Sequence, residues 1–546
     1  MSGAIPADLA LRVERLFAVL VVSGLLLAIW SVVARRRTGA RIDAAVRAWE
    51  ASVTPRGAAL AVWAAALGHA AVYSVFTILR HRMLNSTGYD LAIEDQVLWN
   101  LAHGRGFASS IEVSNYLGDH FCPILAPVSL LYRIWGDVRM ILIAQSCWLA
   151  LGAPAAYRIA LATTRRPAAA ALVGIGYLLV PAIGFMNKFD YHIVTLSIPV
   201  LLWAIVAWLE RRRWLWAGLL VAALLIREEV GLAVAPLALA GVRRPRWRVL
   251  GAVVGVGALA WSVAALFVWI PHFREGVPSD TLQWYAYLGK SPAEILGTLA
   301  RAPWTPFVRE LSQERRLFAL FQIALPTGGL ALLSPGVLVL GGLVFLQNFV
   351  SDNLCQASIY FHYLAPAVPA LVWAWAAGAA RALRWAERGS VAFRRIAVFG
   401  WLAVAPLAAQ WLDRPLLDPV TTPYAEVYGL EAKIDRGVFE RARSLVPAGE
   451  SVLASEPFAA HFSHRLRIQV YHSAHEIVPD EDWIVVHLDD RRHLQTPSDV
   501  RDDVRDWIGA LGYRARFFED GLVVLSRRGT EDPTVRTALT RELAPH

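Results

Sequence analysis

Charged residues are scarce in this chain. Asp, Glu, Lys and Arg make up only 18% of its 546 residues, whereas 56% are hydrophobic and the mean hydropathy is +0.44. A soluble chain of this length would need far more charge to cover the surfaces of its domains. Cysteine is also rare, and three residues cannot form a disulfide framework. The composition excludes a cytosolic enzyme and a disordered chain, and it is typical of a polytopic membrane protein.

The positive charge is distributed unevenly along the chain. Residues 1–411 carry a net charge of +15, and residues 412–546 carry −6. In the first part the arginines form short clusters between apolar runs, which is the arrangement that orients a membrane protein rather than one that binds nucleic acid. We therefore expect membrane lipids, and no nucleic acid, among the partners. No feature of the sequence specifies an oligomeric state.

The apolar runs predict a mainly α-helical transmembrane bundle with about twelve crossings. The run 214–241 is interrupted by the triplet Arg227, Glu228 and Glu229, and basic clusters flank both of its ends. It is predicted to enter the membrane and return, with the charged triplet at the tip of a helical hairpin. The other runs long enough to cross ~30 Å of hydrocarbon are 16–34, 57–79, 139–162, 167–187, 192–209, 248–270, 317–333, 335–350, 363–380 and 394–411.

The arginine clusters also predict sidedness and domain boundaries. If they are cytoplasmic, both termini and the loops between alternate spans lie outside. The predicted units are an N-terminal transmembrane helix with a basic inner loop (1–56), a transmembrane domain with a large first outer loop at 80–138 (57–411), and an extracytoplasmic α/β domain (412–546). We expect a multi-pass protein of the inner (plasma) membrane. Within the first outer loop, the segment 123–135 is predicted to lie at the membrane interface, anchored by Tyr132 and Trp135.

The first outer loop contains the densest group of ionisable residues. In GYDLAIEDQVLWNLAHGRG, Asp90 is predicted to cap a helix over 91–103 that Gly104 ends. Glu94 then shares a helix face with Asp90, with Asp95 beside them. Asp119 and His120 follow before the interfacial segment. Such a group can act as a general base, a metal clamp or an organiser of a pyrophosphate site, or it can be a helix cap in a solvated loop.

Three later stretches are predicted to lie on the same side. Asp190 and His192 occupy the short turn NKFDYH, where polar residues are also needed simply to make the turn. Arg227, Glu228 and Glu229 are ionisable groups at membrane depth, which tend to line sites or pathways, although Arg227 can also just neutralise a glutamate. Tyr360 and His362 precede a span, where such residues are usually interfacial anchors.

Other residues carry weaker signals. The tail histidines flank a strand without cysteine or acidic ligands, so we do not expect them to bind zinc; they are His461, His464, His472 and His475. Cys122 and Cys355 both fall on the predicted outer side, but their spacing does not indicate a disulfide.

The motif DLAIEDQVLWNLAHGRG, followed in order by NYLGDHFCPIL, FDYH and REE, resembles the DUF2079 family of uncharacterised bacterial membrane proteins. The resemblance covers most of the chain from about residue 60. More distantly, the layout is similar to that of the GT-C glycosyltransferases, which take sugars from polyprenyl-phosphate donors. In those enzymes one acidic residue lies early in a large first outer loop and a second lies in a later short outer turn.

The GT-C resemblance implies roles for particular residues. By position, Asp90 matches the first acidic residue and Asp190 the second, and the charged triplet occupies the place of a basic residue that contacts the donor phosphate. In the glycosyltransferase hypothesis, Asp90 is the base or the group that orients the acceptor, Asp190 and His120 support it, and Arg227 holds the lipid-linked phosphate. Two glutamates beside Arg227 depart from that pattern, which leaves a divalent cation open as a cofactor; no other cofactor is implied. The remaining candidates are expected to bind substrate: Glu94, Asp95, Asp119, His192, Glu228, Glu229, Tyr360 and His362.

Three functions stay open from the sequence. The first is a glycosyltransferase that uses a polyprenyl-phosphate sugar or another lipid-linked substrate in cell-envelope glycan or glycolipid assembly. The second is a transporter or flippase of a lipid-linked precursor. The third is a non-catalytic envelope assembly protein. The acidic groups gather on one side and charges are absent from the depth of the remaining predicted spans, which favours the first.

Overall fold

The computed structural model describes residues 38–311, 313–387, 393–413, 415, 434–471, 478–489 and 497–544. The predicted span 16–34, His472 and His475 lie outside these residues. The described chain is mainly helical, with one small sheet near its C-terminal end. Six helical segments in it are long and apolar enough to cross a membrane: Pro55–Arg82, Arg139–Thr164, Pro167–Lys188, Pro245–Phe273, His362–Glu387 and Arg395–Asp413. The twelve crossings stay a prediction.

Several other apolar helices are shorter, with 10–17 residues each, whereas a helix that crosses a bilayer usually has about 20. They are Leu125–Ile134, Ile193–Leu209, Arg213–Leu224 and Pro335–Val350. The predicted run 317–333 is broken: the helix Glu314–Ala324 ends at a turn in which Gly328 and Gly329 have φ angles of +59° and +71°. Glycine adopts this left-handed backbone without steric cost. The predicted run 214–241 is divided as expected into the helices Arg213–Leu224 and Gly231–Leu239, with the charged triplet at the break.

The start of the first loop differs from the sequence prediction. The chain forms a wide helical turn over Gly88–Ala92 and continues as the helix Ile93–Ala102, which ends before Gly104 as predicted. Asp90 therefore lies within the first turn, and its carboxylate bonds to side chains rather than to helix amides. The prediction that Asp90 is the N-cap is wrong, because Thr87 precedes the turn in extended conformation.

The interfacial segment is also more buried than its composition suggests. It forms two short helices, Leu125–Val128 and Leu130–Ile134. Tyr132 is buried and donates its hydroxyl to Asp95, so it is not a membrane anchor. Ile134 and Trp135 remain exposed, as expected for an apolar surface at an interface.

Arginines from separate parts of the chain meet at one end of the bundle. Arg166 pairs with both Glu50 and Glu387, and Arg395 also contacts Glu50. This end also holds Pro55, whose carbonyl accepts a hydrogen bond from Tyr157. The helix Pro55–Arg82 runs from here to the opposite end, where the first loop lies. We call these the basic end and the loop end.

The C-terminal domain is a five-stranded mixed sheet with helices. Its strands are β1 (Val452–Ser455), β2 (Ile468–Tyr471), β3 (Trp483–His487), β4 (Arg514–Glu519) and β5 (Leu522–Ser526). Their order is β2-β1-β3-β5-β4. Strand β1 is parallel to β2 and β3, whereas β5 is antiparallel to β3 and β4. The described helices of the domain are Arg436–Ser444, Glu456–Ala459, Pro497–Gly509 and Pro533–Glu542.

This domain packs directly on the first loop. A Cβ on Gly88 would lie 2.8 Å from Val470 Cγ2, so the two backbones approach as closely as they do only because residue 88 is glycine. Gln96 donates to the carbonyl of Arg465, and Ser110 exchanges hydrogen bonds with the backbone of Ile468. The loop end of the bundle and the sheet therefore form one continuous buried core.

Candidate functional site

Thr87 joins two of the predicted carboxylates. Its Oγ1 lies 2.9 Å from both Asp90 Oδ2 and Asp190 Oδ2, and its backbone N–H donates to Asp190 Oδ2 over 2.7 Å. The single hydroxyl proton can serve only one carboxylate at a time. The first loop and the short turn that carries Asp190 therefore meet at Thr87. Such a contact is possible only if both lie at the same end of the bundle, which is what the sequence predicts.

Asp190 is enclosed by the protein. It is 1% exposed and forms an ion pair with Arg80, which is equally buried. Arg80 and the two groups of Thr87 together give the carboxylate three donors, so that each of its oxygens accepts at least one hydrogen bond. The backbone of Asp190 has a φ angle of +51°, a left-handed conformation that Asp and Asn tolerate better than other side chains. Asp190 is therefore placed to hold Thr87 and the turn, and it presents no free face to a ligand.

Asp90 differs from Asp190 in its exposure. Its side chain is 27% exposed, and its Oδ1 lies 3.0 Å from His192 Nε2. Burial alone would raise the pKa of Asp90, but the adjacent His192 and the Thr87 hydroxyl outweigh it and hold that pKa below its usual range. Asp90 is thus ionised at neutral pH and accessible, which is what a base or ligand-orienting group needs.

Two stacked imidazoles extend the network from Asp90. The rings of His192 and His362 stack with centroids 3.9 Å apart. Both side chains are buried, and in the described residues the Nδ1 atoms of both have no hydrogen-bond partner. Unpaired polar atoms in such positions are uncommon outside sites that bind water or a ligand.

Arg227 lies at the other side of this stack. Its Nη1 donates to His362 Nε2 over 3.1 Å, and its Nη2 donates to His120 Nε2 over 2.8 Å. Since a guanidinium can only donate, each Nε2 accepts and the imidazole protons lie on Nδ1. His120 Nδ1 then donates to Glu228 over 2.9 Å. A continuous polar chain therefore connects Asp90, through the histidines and Arg227, to the charged triplet.

The two glutamates of the triplet face protein donors. Glu228 accepts from His120 Nδ1 and from the backbone N–H of Phe121, each over 2.9 Å. Glu229 lies 3.2 Å from Arg227 Nε. The carboxylates are thus engaged on one side, while in the described part of the chain the hydrogen-bond partners of the two Arg227 Nη groups are imidazole nitrogens.

Glu94 is a buried carboxyl next to this chain. It accepts from the backbone N–H of Ile193 over 3.2 Å and is 4% exposed. Burial raises its pKa to about 7, despite opposing effects of His192, Arg227 and His120. A carboxyl with this pKa can exchange a proton near neutral pH, which is the range that acid–base catalysis uses.

The triplet forms the polar floor of a cavity of about 270 Å³. Aromatic residues Trp284, Tyr285 and Tyr363 line one part of it. Val263 and Phe267, from the span Pro245–Phe273, form an apolar wall and are 57% and 44% exposed on the outside of the bundle. The cavity therefore has a charged floor and an apolar wall on the outside of the bundle.

Not all predicted residues join this site. Asp95 points to the C-terminal domain, where it accepts from Ser463 and lies 3.1 Å from His464 Nε2, and it also accepts from Tyr132 of the first loop. The Tyr360 hydroxyl accepts from Gln322, away from the triplet. Asp119 is partly exposed next to His120. The other candidates lie in the network: Asp90, Glu94, His120, Asp190, His192, Arg227, Glu228, Glu229 and His362.

Sequence reasoning missed Arg80, Thr87 and Gln145. Gln145 Oε1 accepts from the backbone N–H of His192 over 2.7 Å, and its amide donates to the carbonyl of Asp190. It thereby fixes the turn that carries both residues. A polar residue within the apolar run 139–162 was the signal that could have identified Gln145, and Arg80 similarly ends an apolar run.

Metal ligands are not grouped in the described part of the chain. It contains no set of three or more His, Cys, Asp or Glu side chains that could hold an ion. The open possibility of a divalent cation therefore has no ligand set among these residues. Cys122 is a buried free thiol.

Comparison with known sequences identifies the family but not the activity. No curated protein matches the chain significantly. Residues 80–524 match the family model described as a predicted membrane protein, DUF2079. This match includes the loop-end site and most of the C-terminal domain, and the chain therefore belongs to the DUF2079 family.

Proposed function

We propose that the chain is a membrane glycosyltransferase that uses a polyprenyl-phosphate-linked sugar at the outer face of the inner membrane, in cell-envelope glycan or glycolipid assembly. The observation that carries the proposal is the cavity with a charged floor at Arg227 and an apolar wall at Val263 and Phe267. A substrate with a phosphate head and an isoprenoid chain has the same division into polar and apolar parts. The accessible carboxylate of Asp90 at the end of the polar chain supplies a base.

Arg227 is the group that would hold the phosphate. A guanidinium forms paired, charge-assisted hydrogen bonds with phosphate oxygens, which are stronger than its present bonds to imidazole nitrogens. When the phosphate takes the Nη groups of Arg227, His120 Nε2 is released from its bond. Glu228 beside His120 Nδ1 then favours protonation of the ring. The resulting imidazolium adds a second positive charge next to the phosphate.

Asp90 is the proposed base. An acceptor hydroxyl gives its proton to the Asp90 carboxylate while its oxygen attacks the anomeric carbon of the sugar. The bond from that carbon to the phosphate oxygen breaks, and its electron pair leaves with the polyprenyl phosphate. Arg227 and the His120 imidazolium stabilise the charge that develops on this leaving group. His192 holds Asp90 in position through its Nε2.

The other carboxyl groups have supporting roles in this proposal. Asp190, which the GT-C resemblance placed second in catalysis, is a positioning residue, because Arg80 and Thr87 occupy its oxygens. Glu94 lies within the field of His192 and Arg227 and can hold or release one proton as the charge of the site changes. Asp95 and Tyr360 have no role in the proposed reaction.

The arginines of the basic end support the sidedness. Arg166 and Arg395 gather there with other basic residues of three separate segments. Under the positive-inside rule that end is cytoplasmic, and the loop end, with the site and the C-terminal domain, is extracytoplasmic.

The test is mass spectrometry of the lipids that copurify with the full-length protein. We expect a polyprenyl-phosphate sugar with the wild type, and at least about tenfold less of it with Arg227→Gln, because a charge-assisted pair to phosphate is lost. Arg541→Gln, which removes one exposed arginine from the C-terminal domain, is the matched control and should retain the lipid. Bulk phospholipids alone in all three preparations would reject the proposal.

The fate of the lipid-linked sugar distinguishes a glycosyltransferase from a transporter. With an acceptor present, a transferase releases polyprenyl phosphate without its sugar, whereas a flippase moves the intact lipid across vesicles. Recovery of only intact, relocated lipid would replace the transferase with the transporter.

A further inference from the structure

A second cavity, of about 510 Å³, lies between the loop end of the bundle and the C-terminal domain. We call it the interdomain cavity. Its lining differs from that of the cavity at Arg227, because it contains five arginines and two carboxylates. The guanidinium groups in its wall come from the bundle and from the domain, and they are Arg82, Arg139, Arg436, Arg443 and Arg465.

Two carboxylates in the wall are already occupied. Asp137 accepts two hydrogen bonds of 2.7 Å from Arg139. Asp95 is held by Tyr132, Ser463 and His464. The wall of the cavity thus contains two carboxylates against five guanidinium groups.

The helix Arg436–Ser444 supplies two arginines that share one partner. Arg436 lies 2.8 Å from Glu440, and Arg443 lies 3.7 Å from the same side chain. These pairs are more than two-fifths exposed, so solvent screens them and they are weak. In the described residues Arg82 has no carboxylate partner. Five guanidinium groups thus face three carboxylates around one cavity.

We propose that the interdomain cavity binds a phosphate-bearing anion, and that it is separate from the site at Arg227. Guanidinium groups with weak carboxylate partners or none, here those of Arg82, Arg436 and Arg443, are well suited to bind phosphate. The helix Ile93–Ala102 lies between the two sites, with Glu94 in the network of one and Asp95 in the wall of the other. A ligand in the interdomain cavity would hold the C-terminal domain on the loop end, because it contacts residues of both.

Two sources can supply this phosphate. Leu130, Ile134 and Trp135, next to the lining residues 136–139, are exposed apolar side chains typical of a membrane surface. An anionic phospholipid could therefore reach the cavity with its headgroup. A soluble diphosphate-bearing compound has the same recognition chemistry.

The experiment uses the full-length protein in detergent and has one arm for each source. Inorganic pyrophosphate is titrated by calorimetry, and retention of phosphatidylglycerol is compared with that of phosphatidylcholine by native mass spectrometry. We expect binding in at least one arm, weakened at least about tenfold in Arg436→Gln/Arg443→Gln, since each charge-assisted bond contributes appreciably. Binding should also weaken as the salt concentration rises.

The matched control is Arg528→Gln/Arg541→Gln, which removes the same charge from exposed positions outside the cavity. It should bind like the wild type. If the first variant does not purify as a folded protein, Arg82→Gln replaces it. The proposal is overturned if neither probe binds, or if the cavity variants bind as tightly as the control.

Discussion

Asp190→Asn should destabilise the protein far more than Asp90→Asn. The two side chains share Thr87, but Asp190 is fully enclosed and paired with the buried Arg80, whereas Asp90 is partly exposed and lies next to His192. Asn keeps the volume and one acceptor oxygen, and it tolerates the left-handed backbone at position 190 as well as Asp does. The substitution therefore tests the charge of Asp190 and not its backbone geometry.

The expected magnitude follows from the burial of the ion pair. Removing one partner of a buried pair leaves an uncompensated charge and costs about 3–5 kcal/mol. The Asn oxygen can still accept from the Thr87 amide, so we expect the lower part of this range, about 3 kcal/mol. For Asp90→Asn the loss of one hydrogen bond to a partly exposed group should cost about 1–2 kcal/mol.

The assay is denaturant or thermal unfolding of both variants in the same detergent, followed by tryptophan fluorescence. Arg80→Met/Asp190→Asn is a third variant, which removes both charges, keeps a residue that tolerates the left-handed backbone at position 190, and should recover part of the stability that Asp190→Asn loses. Equal unfolding midpoints for Asp190→Asn and wild type would refute the assignment of Asp190 as a positioning residue, and would return it to the candidate bases.

Two further predictions concern pH and topology. Burial raises the pKa of Glu94 to about 7, so its contribution to stability is present below its ordinary pKa of 4.5 and is lost as the pH rises through 7. Glu94→Gln should therefore be more stable than the wild type at pH 8, by on the order of 3 kcal/mol, and the difference should vanish toward pH 4.5; a constant difference across this range would contradict it. A reporter fused after residue 546 should be active outside the cytoplasm, because the arginine clusters orient the basic end inward. Activity only in the cytoplasm would reverse the proposed sidedness.

The sequence predicted the class of fold from composition and run length. Apolar periodicity depends only on residues that are close in sequence, so it can be read without knowing the fold. It predicted the helical bundle, the break at the charged triplet and the mixed α/β character of the tail. The break at Gly328 and Gly329 was not predicted, since these residues lie within an apolar run and only their φ angles reveal the turn. The number of crossings also stays open, because several apolar helices are short and depend on their neighbours.

The site was predicted in outline and not in its contacts. Clustering of Asp90, Asp190 and the triplet at one end follows from the alternation of basic loops, as the sequence analysis expected. The roles of Thr87 and Arg80 could not be derived, because a hydroxyl that joins two carboxylates depends on a long-range contact. Asp95 and Glu94 were both predicted to bind substrate, because the sequence does not show which side chains contact the C-terminal domain. Asp95 follows Glu94 on the helix and therefore points in a different direction, where it contacts Ser463 of that domain.

The most direct test of the proposed chemistry is sugar transfer by Asp90→Asn, measured with a polyprenyl-phosphate sugar in membranes that contain equal amounts of variant and wild type. The substitution removes the basicity of the side chain and leaves the Arg227 cavity unchanged. The account predicts that transfer falls about 10²–10⁴-fold while the lipid-linked donor still copurifies with the variant. Full transfer by Asp90→Asn would contradict it.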